Sequence, residues 1–173
     1  MANTTFSGPV RSEDGFDVVS KNATTGAIST EFSLDGSGLQ VTPVTLGDED
    51  TTLTATANGG RINVVPAITG NRTLTLPSPT AGVWFKFIYG GAAEEAENLI
   101  IDTGSDTNYY IGGVVHIQSD ADSASVYSDG NSNSTLTLTD FGIFEINILA
   151  KDSTNWIIWG YQEGADAPAF ADQ

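Results

Sequence analysis

Side chains able to do chemistry are scarce in this chain. His116 is the only histidine and there is no cysteine. Thiolate metal sites, two-histidine metal sites and cysteine nucleophiles are therefore excluded, and a serine triad would have to use this one imidazole. Within "GGVVHIQ" it alternates with Val115 and Ile117, which predicts a strand residue facing solvent or a subunit boundary. The acids cluster locally: Asp48, Glu49 and Asp50 share one loop, and Glu94, Glu95 and Glu97 one short turn. Glycosidase carboxylates face each other from separate strands across a cleft, so these clusters read as solvated faces and a hydrolase ranks last. In "DGNSNSTLTLTD", Asp129, Asn131 and Asn133 match the first ligand positions of a calcium loop. Position six is Ser134 where glycine is required, and position twelve is Asp140 in place of a bidentate glutamate, so a tight Asx-type turn is predicted. "YGGAAEE" lacks the lysine and the strand-to-helix setting of a phosphate loop. The expectation is a protein with no catalytic residues, no metal and no cofactor.

Composition narrows the partners. The 173 residues carry six basic against 22 acidic side chains, a formal net charge of -16. Nucleic acid or an anionic membrane would need a basic footprint, and Arg11, Lys21, Arg61, Arg72, Lys86 and Lys151 are scattered along the chain. No apolar run approaches the roughly 20 residues of a membrane span, and the N-terminus has neither the basic nor the apolar region of a secretory signal.

The elements that must position any site are strands. "NRTLTLP" and "STLTLTD" alternate leucine with threonine, which predicts half-buried antiparallel strands. "GVWFKFIYGG" sets Phe85, Phe87 and Tyr89 against Trp84, Lys86 and Ile88; "GIFEINILA" sets Phe144, Ile146 and Ile148 against Glu145 and Asn147. "NWIIWGY" is apolar on both faces and predicts a central strand, with Trp156 and Trp159 both in the core. The one candidate helical turn is "GAAEEAEN". Turn-rich breaks between these runs predict an all-β protein, an antiparallel β-sandwich or jelly roll.

Three regions follow. Residues 1–50 hold weak strands at "FDVVSK", "GAISTEFSL" and "LQVTPVTL", with apolar positions too sparse for a core of their own. Residues 51–162 carry nearly all the aromatics and form the sandwich, and residues 163–173 are a polar tail. The opening "MANTTFSGPVRSEDGF" reads as an extended arm with Phe6, Val10 and Phe16 as apolar anchors and Arg11 as its cation. Phe32, Leu39 and His116 are candidate subunit contacts.

The run "LTATANGGRINVVPAITGNRTLTLPSPTAGVWFKFIYGG", with "IGGVVHI", "SDGNSNSTLTLTD" and "NWIIWGY", resembles the β-sandwich of head decoration (capsid cement) proteins of tailed bacteriophages, particularly those of marine and cyanobacterial hosts. The resemblance spans most of the chain. It implies a structural virion protein without an active site, assembled in bacterial cytoplasm. Such a protein sits on the outer surface of the capsid, commonly as homotrimers that bridge capsomers of the major capsid protein. The alternative expectation is a carbohydrate-binding or host-recognition module of a tail or fibre, with Trp84, Trp156, Trp159, Tyr109 and Tyr110 as stacking rings.

Overall fold

The computed structural model describes residues 15–35, 38–40, 42–118 and 122–173. The chain divides into two compact units, Met1–Thr42 and Pro43–Gln173. The first holds one antiparallel sheet of β1 (Phe16–Lys21), β2 (Ile28–Asp35) and β3 (Gly38–Gln40), in that order. The β1–β2 turn is closed by Asn22, whose Oδ1 accepts the Thr24 and Thr25 amides, each at 2.9 Å. Phe16, Val18, Val19 and Ile28 are all exposed.

The second unit is built from two mixed sheets. Its elements are β4 (Val44–Thr45), β5 (Thr51–Thr52), α1 (Ala55–Asn58), β6 (Ile62–Val65), β7 (Arg72–Thr75), β8 (Trp84–Tyr89), β9 (Leu99–Asp102) and β10 (Tyr109–Ile117). They continue with β11 (Ala124–Tyr127), β12 (Thr135–Leu138), β13 (Phe141–Ala150), β14 (Asn155–Gly164) and β15 (Ala169–Ala171). One sheet has seven strands in the order β11-β10-β14-β13-β8-β6-β4, and the other five in the order β15-β12-β9-β7-β5.

The all-β expectation holds; the antiparallel one holds only in part. From β4 to β10 successive strands alternate between the two sheets, so each strand lies parallel to the next one laid in its own sheet. Thus β4, β6 and β8 pair in parallel, as do β5, β7 and β9. The "NRTLTLP" strand β7 is therefore parallel to both neighbours, whereas β12 is antiparallel to β9 and β15. The chain then forms the β13–β14 hairpin, which docks antiparallel on β8, while β10 runs parallel to β14.

Period-two alternation supplies the core. Leu74, Leu99, Ile101, Leu136 and Leu138 from the five-stranded sheet join Phe85, Phe87, Tyr110, Phe144, Ile146, Ile148 and Trp156 from the seven-stranded one in a single buried cluster. Phe85 meets Trp156 edge to face with centroids 5.8 Å apart, and the Tyr110 hydroxyl donates to the Ile101 carbonyl of the other sheet at 3.1 Å.

Local expectations changed in three places. "GAAEEAEN" is not helical, because tertiary bonds claim it: the Glu95 amide donates to the Phe141 carbonyl, and Glu94 accepts the Ala165 amide at 2.7 Å. The helical turn lies instead at α1, where Thr54 Oγ1 caps the Ala57 amide and Asn58 turns inward to Asn63. The polar tail is part of the body. β14 runs to Gly164, and β15 pairs with β12, with Phe170 set edge-on to Tyr110.

Candidate functional site: the outer face of the seven-stranded sheet

The residues with chemical potential are occupied in holding loops together. Asp48 accepts from the Thr69 hydroxyl and from Arg72 Nε, each at 2.7 Å, and these bonds hold its carboxyl below the usual range. Asp50 caps the Thr73 amide. Asp129 accepts from the Ser132 hydroxyl and from the amides of Asn131, Ser132 and Asn133, which places its carboxyl well below the usual range. This is the Asx-type turn expected from "DGNSNS". Burial, with a hydrogen bond to Glu95, pushes the Tyr89 phenol up to about 12. Among the described residues, no three His, Asp or Glu side chains are grouped to hold a metal ion.

His116 corrects an expectation. It points into the protein, 3 % exposed, and its Nε2–H donates to the Gly164 carbonyl at 2.9 Å. It shares the inward parity of the buried Val114, so the residues presented outward from this strand are Val115 and Ile117, both exposed. Trp159 is a second correction. Trp156 and Ile158 face the core, but Trp159 has the opposite parity and is 48 % exposed.

These corrections converge on one surface. Residues directly opposite across strands share a face of the sheet. One row there runs Tyr127, Gly113, Trp159, Asn147, Lys86 and Ile62; the next runs Ser125, Val115, Tyr161, Glu145, Ile88 and Val64. All the exposed large apolar side chains described in Pro43–Gln173, namely Trp84, Val115, Ile117, Tyr127, Ile143 and Trp159, belong to strands of this sheet. The outer face of the five-stranded sheet is different. It carries Thr73, Thr75, Thr135 and Thr137 along with Ile100 and Asp102.

The centre of the apolar face holds a neutral polar group. Glu145 accepts from Lys86 Nζ at 2.9 Å and from Asn147 Nδ2 at 3.1 Å, and these contacts hold its carboxyl below the usual range. Beside it lies a hollow of about 600 Å³ bordered by Trp159, Tyr161, Tyr127 and Val115. Glycine shapes it: a Cβ on Gly113 would stand 2.7 Å from Tyr127 Cδ1, so the tyrosine ring lies over the bare backbone. A Cβ on Gly160 would lie 2.0 Å from the Glu145 carbonyl oxygen, which requires hydrogen at that position too.

The other expected site residues fall elsewhere. Phe6, Val10 and Arg11 lie outside the described residues. Phe16 opens β1 and is 48 % exposed. Phe32 pairs with Val18 and Leu39 with Leu34 along the backbone, and their side chains lie outside the described residues. Of the five rings expected to stack on sugar, Trp156 and Tyr110 are fully buried, whereas Trp84 and Trp159 are exposed. Tyr127, Val115 and Ile117 were missed. The parity of "GGVVHIQ" carried the signal for the last two, but it could not say which parity faced inward. Among the described residues no helix is long and apolar enough to cross a membrane. The chain matches no protein-family model and no curated protein.

Proposed function

We propose that this chain is a structural virion protein that decorates and stabilises the outside of a tailed-phage capsid, added as homotrimers and carrying no catalytic site. In this reading the two sheets of the second unit form a sandwich-like rigid body and the N-terminal unit is the part that grips the shell. The observation that carries the reading is the contrast between the two units. The second has a dense aromatic core, while the three-stranded N-terminal sheet leaves Phe16, Val18, Val19 and Ile28 exposed. So small a sheet gains stability by laying such side chains on a partner. The net charge of -16 agrees with a protein that faces the medium and stays away from packaged DNA.

The test compares the full chain with a form lacking residues 2–16, in a melting curve and in rebinding to capsids that lack the protein. The second unit should melt unchanged while capsid addition is lost or sharply weakened. Equal decoration by both forms would exclude residues 2–16 as the capsid contact.

A saccharide-binding module is the second reading. Trp159 and Tyr127 beside Asn147 and Glu145 favour it, since rings stack on sugars and amides and carboxylates bond their hydroxyls. Selective binding to one neutral glycan on an array would support it over decoration.

A further inference from the structure

We infer that the outer face of the seven-stranded sheet is where a second copy of this chain packs. The inference deepens the homotrimer reading, and rests on it, by assigning the contact surface. Three observations carry it.

The first is the asymmetry of the two outer faces. One is dressed with threonine hydroxyls and the other with Trp84, Val115, Ile117, Tyr127 and Trp159. An outer face with this many exposed apolar side chains on a protein this polar marks a surface that another protein covers.

The second is charge. Two copies of a chain at -16 repel each other wherever their acidic surfaces meet. On this face the central carboxylate, Glu145, is already neutralised by Lys86, and Glu163 is the further acid presented by β14. A basic partner would be drawn to the acidic surfaces elsewhere. A copy of the same chain is the partner for which a largely apolar face with its central carboxylate paired is a requirement.

The third is shape and size. Tyr127, 71 % exposed, borders the hollow together with Trp159, so two rings and a recess stand open to a partner at one place on this surface. The six strands from β11 to β6, four to ten residues long with a rise of about 3.3 Å per residue and a spacing of about 4.8 Å, cover roughly 700 Å², close to the roughly 800 Å² per partner that a stable interface needs.

The experiment uses the full chain in light scattering coupled to gel filtration and in sedimentation over a dilution series. The wild type should be assembled. Val115→Asp and Trp159→Glu should shift the self-association midpoint upward at least tenfold, while Trp159→Phe and the control Thr137→Glu, on the outer face of the five-stranded sheet, should leave it in place. The natural chain has no cysteine, so Tyr127→Cys carries a single polarity-sensitive dye. Its emission should move to the red on dilution through the midpoint, which tests the contact even if a charged variant fails to fold. Assembly that survives both charged variants, with dye emission unchanged on dilution, would overturn this face as the contact while leaving the homotrimer intact. A wild type that stays monomeric at high concentration would overturn both. Capsid rebinding through residues 2–16 is read separately and stands or falls on its own.

Discussion

At the scale of single residues, parity within a strand decides function, and β10 makes the point. His116 and Val115 are adjacent, yet one donates to a buried carbonyl and the other faces out. His116→Leu leaves the Gly164 carbonyl without its donor, a loss of about 1–3 kcal/mol, and should leave self-association in place. Calorimetry beside sedimentation separates it from Val115→Asp, which should do the reverse. The carboxylates make a second prediction. Asp48, Asp129 and Glu145, together with Asp152, which accepts from the amides of Thr154 and Asn155, are all held below their ordinary range by the bonds they accept. A depressed folded-state pKa contributes stability that is fully present above the unfolded value, near 4, and is lost as pH falls through the folded one. The melting temperature should therefore be flat from pH 7 to about 5 and drop steeply below about 4. A melting temperature that rose toward pH 3 would contradict these assignments.

At the scale of elements, the two tryptophans of β14 form a matched pair. Trp156 is fully buried against Phe85, so Trp156→Ala should cost about 3–5 kcal/mol, whereas Trp159→Ala, on the outer face, should cost the isolated chain less than about 1 kcal/mol. Denaturant unfolding of both variants at dilute concentration reads the difference. The alternating leucines and phenylalanines made β7, β8, β12 and β13 legible from sequence, because burying one face of a strand forces a period of two. Strand direction was not legible. Whether β7 runs parallel to β9 depends on the chain crossing between sheets after every strand, and alternation is the same for either direction. Nor did a repeat betray that winding, since its turns differ in length: Val44 pairs with Asn63, but Ile62 with Lys86. "NWIIWGY" is apolar at both parities and so could not reveal that one side lay open. The strand β15 was hidden in a polar tail because Phe170 is its only large apolar side chain.

At the scale of the whole molecule, the protein has an acidic two-sheet body with one largely apolar outer face and an N-terminal unit with apolar side chains to spare. Circular dichroism should show a strand-dominated spectrum with helix below about a tenth, since the described residues contain a single four-residue helical turn. The proposed place on the capsid exterior has a direct measurement. Capsids of a tailed phage whose genome carries this sequence, assembled without the protein, are mixed with purified full-length protein and imaged by electron cryomicroscopy. The expected result is added density on the outer surface, in three-fold clusters between capsomers, that is missing when residues 2–16 are removed. Capsids that remain bare with the full-length protein, or density confined to the tail or fibres, would contradict it.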